Sequence, residues 1–140
     1  MLSTTESFIA ELEKNGWKYN GLKELEDGKN HVGCGVTGKT TQADFHLFFD
    51  ADDKSVSIRV FKLFIVPIDK KLQLLELMNK INSEYRWAKF FIGEDEWMNV
   101  QLDALISAET AGPNCLNLIL RAMNIIDTAY PRFMHEVWAT

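Results

Sequence analysis

Cysteine is nearly absent from the chain: Cys34 and Cys115 are the only two in 140 residues. They lie far apart and in no metal-binding or redox spacing, so a disulfide framework is excluded and both are expected as free thiols of a reducing compartment. Proline and glycine are also scarce, at three and eight residues, which excludes collagen-like and low-complexity chains. No apolar run approaches the roughly 20 residues that span a bilayer. Met1 to Glu6 carry neither the basic nor the apolar segment of a secretory signal, and a cytoplasmic location is expected. Basic charge is the minority sign, with 15 Lys and Arg against 20 Asp and Glu for a net charge of −5. It is nowhere clustered, so neither nucleic acid nor an anionic membrane is expected as a partner. What the chain does have is a composition that is 46% hydrophobic and 25% charged, that of one globular domain over residues 1–140 with a core of its own.

The periodicity of the apolar residues sets out an α+β order. Ser3 to Asn15 places Phe8, Ile9 and Leu12 on one stripe, with Ser3 or Thr4 as cap and Asn15-Gly16 as stop, and reads as a helix. Trp17 to Leu22 reads as an extended edge segment. Period two then takes over. Val32, Cys34 and Val36 alternate with Gly33, Gly35 and Thr37, and Ala43, Phe45, Leu47 and Phe49 alternate with Asp44, His46, Phe48 and Asp50. Val56, Ile58 and Val60 follow, with a phase flip at Phe61, Leu63 and Ile65 that predicts a bulge. Tight turns are expected at Lys39–Gln42 and over the acidic stretch Asp50–Lys54. Matching the apolar faces pairs Phe49 with Val56, Leu47 with Ile58 and Phe45 with Val60. It also pairs Val36 with Phe45 and Cys34 with Leu47, which sets Gly33 opposite Phe48 and Gly35 opposite His46.

Pro67 opens a helix from Ile68 to Asn82 whose stripe is Ile68, Leu72, Leu75, Met78 and Ile81. A hairpin follows, pairing Ile92 with Met98 around Gly93–Trp97. From Gly112 a last helix is apolar around most of its girth, through Leu116, Leu118, Ile119, Leu120, Ala122, Met123, Ile125 and Ile126, and Pro131 kinks or restarts it. Its second burial surface is expected to be another subunit. The expected fold is an antiparallel sheet of five to six strands with helices packed on it, in the order α-β-β-β-α-β-β-α.

Residues Gly33 to Thr40 match the phosphate-binding string G-x-x-x-x-G-K-[ST] in full. That loop works where a buried strand enters it and a helix leaves it, so that backbone N–H groups and the helix N-terminus hold the phosphates. Here Glu26 to His31 are too polar for the first, and the residues after Lys39 alternate as a strand. The string therefore reads as strand and turn, with a nucleotide-binding protein using Lys39 as the rival reading. Asp50, Asp52 and Asp53 resemble a calcium loop but have Ser55 where glycine is required and Phe61 where glutamate is required. His31, Cys34 and His46 offer metal-ligand chemistry, but the alternation sends Cys34 to the core and His46 away from it. Neither a nucleophile motif nor a water-excluded acid–base pair is found, so no catalytic, metal or cofactor residue is assigned and the protein is not expected to be an enzyme.

The remaining candidates are surface residues. His46, Phe48, Arg59 and Phe61 fall on the non-core side of the sheet, Trp87, Phe91 and Trp97 on the same or an adjoining face, and Leu118 and Ile125 on the over-apolar last helix. Aromatic residues with arginine are what interfaces enrich, so these nine are the candidate partner-binding residues, for a homodimer and for a client or regulatory protein. A small-ligand pocket between sheet and helix, lined by Phe45, Phe49 and Met123, is a third reading.

Ser55-Val56-Ser57-Ile58-Arg59-Val60, Pro67 before Leu74-Leu75-Glu76-Leu77-Met78-Asn79-Lys80-Ile81-Asn82, Lys89-Phe90-Phe91-Ile92 and Asp127-Thr128-Ala129-Tyr130-Pro131 together resemble the YbjN-domain family. The resemblance implies a bacterial sensory-transduction regulator with a fold similar to type III secretion chaperones: an α+β, often dimeric, non-enzymatic binding domain without an active site to transfer.

Overall fold

A computed structural model describes residues 1–140. Six antiparallel strands form one sheet in the order β1-β2-β3-β4-β6-β5. They are β1 (Gly21–Glu24), β2 (Asn30–Thr37), β3 (Gln42–Phe49), β4 (Ser55–Ile65), β5 (Lys89–Ile92) and β6 (Trp97–Leu105). Three helices, α1 (Ser3–Lys14), α2 (Lys71–Glu84) and α3 (Ala111–Trp138), complete the α+β order. The edge segment expected near Trp17 becomes β1, a few residues further on. Alternation puts Val32, Cys34, Phe45, Leu47, Phe49, Val56, Ile58, Val60, Val100 and Leu102 on the helix side, where they are buried in one core with Phe8, Leu12 and Phe133.

The β3–β4 pairs Phe49 with Val56, Leu47 with Ile58 and Phe45 with Val60 are those expected, as is Ile92 with Met98. The β4 register shifts between Val60 and Phe64. Lys62 turns to φ 56° there and donates its N–H to Asn99 Oδ1 at 2.9 Å, the bulge that the phase flip required.

The β2–β3 register differs from expectation. Cys34 pairs with Phe45 and Val36 with Ala43, so Gly33 faces His46, Gly35 faces Asp44 and His31 faces Phe48. The cause is the turn. Gly38 N–H donates to Thr41 O at 2.8 Å, which closes the loop over Gly38–Thr41, one residue earlier than Lys39–Gln42. Moving a hairpin loop by one residue shifts the register by two and leaves every side chain on its original face, so alternation cannot detect the difference.

Helix α1 is capped from outside. Its N-cap residue Leu2 makes no side-chain cap bond; instead Asp53, in the β3–β4 turn, accepts from Ser3 N at 3.2 Å and Thr4 N at 2.9 Å. A carboxylate on the free N–H groups of a helix start is the favoured pairing, supplied here by a single residue 50 positions from Ser3 and 49 from Thr4.

Helix α2 begins later and faces differently than expected. Pro67 is extended and Ile68–Lys70 form a short 3-10 turn before the α-helix starts at Lys71. The inward residues are Leu74 and Ile81, both fully buried, while Ile68 is 90% exposed and Leu72 68%. Asn82 explains the rotation. Its Nδ2 donates to Phe90 O at 3.0 Å and its Oδ1 accepts from Phe90 N at 2.9 Å, so the helix must turn Asn82, and with it the Leu74–Met78–Ile81 stripe, toward β5.

Helix α3 runs unbroken through Pro131. A second burial surface for it lies within the chain, because α1 and α2 both pack against it. At Gly112 the approach is so close that a Cβ would sit 2.5 Å from Ser7 O, and Ser7 Oγ accepts from Gly112 N at 2.9 Å.

Candidate functional site

Because the core lies on one side of the sheet, the other side is left with its own side chains as cover. On that outer face His31 Nε2 and His46 Nδ1 are 2.9 Å apart, with the two rings stacked at 5.1 Å and 9°. Phe48 stacks on His31 at 4.8 Å, and Phe61 lies 5.4 Å from His46. Arg59, beside His46 on β4, pairs with Asp103 at 2.9 Å and also donates to Leu102 O at 3.1 Å. Burial, then the neighbouring His46 and Lys23, hold His31 below its usual value, favouring its neutral form. Four of the predicted partner residues, His46, Phe48, Arg59 and Phe61, are thus brought together, and Phe61 is 47% exposed.

Phe91, opposite Asn99, and Trp97, with Lys62 Nζ 5.9 Å from its ring centroid, extend the same face and are half-buried. Trp87 and Leu118 lie elsewhere, lining a cleft beside the end of β6. Ile125 is a correction: it is 5% exposed and belongs to the core, because α3 is covered by its own chain. Phe45, Phe49 and Met123, put forward as a pocket lining, are likewise packed core residues.

Cys34 is buried on the core side, away from the histidine pair. Burial pushes its thiol up, and that of Cys115 to about 12, so neither is a ready nucleophile.

The phosphate-loop-like string is strand β2 followed by the Gly38–Thr41 turn, and the turn does hold an anion. Asp127, on α3, accepts from Lys39 N at 2.8 Å, Thr40 N at 2.7 Å, Thr41 N at 3.3 Å and Thr40 Oγ1 at 2.8 Å. These donors, led by the Lys39 and Thr40 backbones, hold the Asp127 carboxyl down at about 2. Successive backbone N–H groups in a turn form a concavity for negative charge, and here the protein's own carboxylate fills it. Gly38 makes room for this contact, since a Cβ there would lie 2.6 Å from Asp127 Oδ1. No periodicity or motif in the sequence marks this contact, because the partner is 88 positions from Lys39.

No helix is long and apolar enough to cross a membrane. The family model described as "YbjN: Putative bacterial sensory transduction regulator" matches residues 6–134. A solved structure described as that of YbjN, "a putative transcription regulator from E. coli", superposes with a TM-score of 0.58 over 91% of this chain and 92% of its own, at 13% identity. At that identity the likeness shows the fold alone. No curated protein matches the chain.

Proposed function

The chain belongs to the YbjN family, and from that premise we propose a non-enzymatic, regulator-like role in the cytoplasm, exercised by binding protein partners and by forming a homodimer. The observation that carries this reading is the apolar surface left without cover at the start of α2. Ile68 is 90% exposed, Leu72 68%, Ile65 58% and, on the end of α3, Trp138 79%. Lys70 Nζ bonds Ala139 O, which holds the ends of these two elements together. Exposed apolar side chains grouped in this way mark interaction sites in soluble proteins. A second copy would bury the stripe that amphipathic patterning assigns to an interior, and the outer sheet face with His46, Phe48, Arg59 and Phe61 would remain for a client or regulatory partner.

Sedimentation equilibrium at tens of micromolar tests the dimer. The expected result is twice the chain mass of 16.1 kDa for the wild type. The double variant Ile68→Glu, Leu72→Glu should give the single mass and still unfold in one cooperative transition, at a lower temperature by whatever the dimer contributes, because neither side chain belongs to the core of the single chain. A wild type that stays monomeric would overturn the homodimer.

A further inference from the structure

The four arginines of the chain divide into two pairs. Arg59 is matched by Asp103 and Arg132 by Glu84, but Arg86 and Arg121 have no carboxylate within ion-pair distance. Both converge on one ring: their guanidinium carbons lie 5.0 and 5.3 Å from the Trp87 centroid. In a chain of net charge −5, two unmatched cations gathered on one exposed indole are an arrangement that folding does not require. Trp87 is 46% exposed and adopts φ 71°, a left-handed backbone conformation that is an outlier for a bulky residue and concentrates at functional sites.

Trp87 and Arg121 open onto a cleft of about 440 Å³, with Ala104, Leu105, Asn117 and Leu118 among its walls. This cleft follows a strand edge that lacks a neighbour. β6 pairs with β4 as far as Ser55–Leu105, while β5 leaves it after Lys89–Gln101, so Leu102 to Leu105 have a strand on one side only. Asp103, the acid at the cleft, is already neutralised by Arg59 at 2.9 Å. Arg121 is steadied by Asn117, whose Oδ1 accepts from its Nε at 3.2 Å.

We infer that this cleft receives an extended, acidic segment of a partner protein. Its backbone adds along the free edge of β6, its carboxylate meets Arg86 and Arg121, and an apolar side chain rests on Leu118 and Ala104. Strand addition supplies affinity through main-chain hydrogen bonds. The two guanidinium groups add selectivity, since arginine offers a planar fork of donors to a carboxylate. The inference rests on the protein-binding reading above but uses a surface separate from the proposed dimer stripe.

The test is selection of a displayed library of random dodecapeptides on the full-length protein, with Arg86→Gln, Arg121→Gln as counter-target. Both arginines are exposed, so this variant should keep the wild-type melting temperature. Enriched sequences should carry Asp or Glu. A synthetic peptide of the leading sequence should shift the Trp87 indole N–H and the amides of Asp103 to Leu105 in nitrogen–proton spectra. It should bind the double variant at least about tenfold more weakly, as expected when charge-assisted hydrogen bonds are lost. Arg121→Gln alone gives the same readout with a smaller change. Peptides that bind the variant equally, or that shift Gly33, His46 and Phe61 instead, overturn the cleft and leave the protein-binding reading standing. A selection that enriches nothing also overturns the cleft, while the dimer is judged separately by its solution mass.

Discussion

Replacing Gly38 by alanine is the smallest change that attacks the contact between the Gly38–Thr41 turn and α3. The added Cβ would lie 2.6 Å from Asp127 Oδ1, 2.7 Å from its Cγ and 2.8 Å from Met123 Cε. Met123 can swing away, but the Asp127 carboxylate is held by several donors and cannot leave without breaking them. Overpacking of this kind costs about 1–3 kcal/mol. At about 3 °C per kcal/mol for a chain of this size, the melting temperature should fall by roughly 3–9 °C. Gly33→Ala is the internal control, because its Cβ would meet only Asn20 Cβ at an ordinary 3.7 Å, and a shift within about 2 °C is expected. Thermal unfolding followed by circular dichroism reads both.

Asp127→Asn adds a pH arm. The folded-state carboxyl is lowered from its ordinary 3.8 to about 2, so its stabilisation is fully present above the ordinary value and is lost as pH falls through the folded one. The gap between wild type and Asp127→Asn should be constant near neutrality and close between about pH 4 and 2. Equal melting temperatures for Gly38→Ala and Gly33→Ala, or a gap independent of pH, would refute the lock.

Leu74→Ala should cost about 2–5 kcal/mol in urea unfolding as a cavity in the core, while Leu72→Ala, measured at protein concentrations where the chain is monomeric, should change stability by less than about 0.5 kcal/mol; the reverse order would mean that α2 is rotated. Asn82→Ala leaves the Phe90 N–H and C=O without their partner and should cost about 1–3 kcal/mol, with faster amide exchange at Phe90 as the local signature. Cys34 and Cys115 should resist a thiol reagent at pH 8 in the folded protein and react promptly in denaturant, because burial raises both thiols; prompt reaction of either without unfolding would contradict its burial.

Much of the sheet was legible because alternation and acidic turns act locally. Phe45, Leu47 and Phe49 could be matched to Val60, Ile58 and Val56 from faces alone, and the bulge followed from the change of phase after Val60. The illegible parts depend on particular contacts that carry no periodic signal, some of them polar and between residues far apart in sequence. The α2 stripe was misassigned because hydropathy weighs Ile68 and Leu72 equally with Leu74 and Ile81, and the Asn82–Phe90 bonds that choose between them carry no periodic signal. Ser3 and Thr4 looked like caps, but Asp53 does the capping. The β2–β3 register failed by two positions because only the turn, not the faces, distinguishes the alternatives. On the outer face His46, Phe48, Arg59 and Phe61 were recognisable from alternation. Ile125 was misplaced because an apolar helix in a small chain can be covered by its neighbours α1 and α2 as well as by a second copy. The Arg86–Trp87–Arg121 grouping was hidden because it depends on where β5 ends and on the folding of α3 across it.

Titration calorimetry with ATP and Mg²⁺ on the wild type and Lys39→Ala bears most directly on whether the Gly33–Thr40 string serves the fold or a nucleotide. With the Lys39, Thr40 and Thr41 N–H groups already given to Asp127, neither protein should show saturable heat at millimolar nucleotide. Saturable binding by the wild type that is lost in Lys39→Ala would contradict that account.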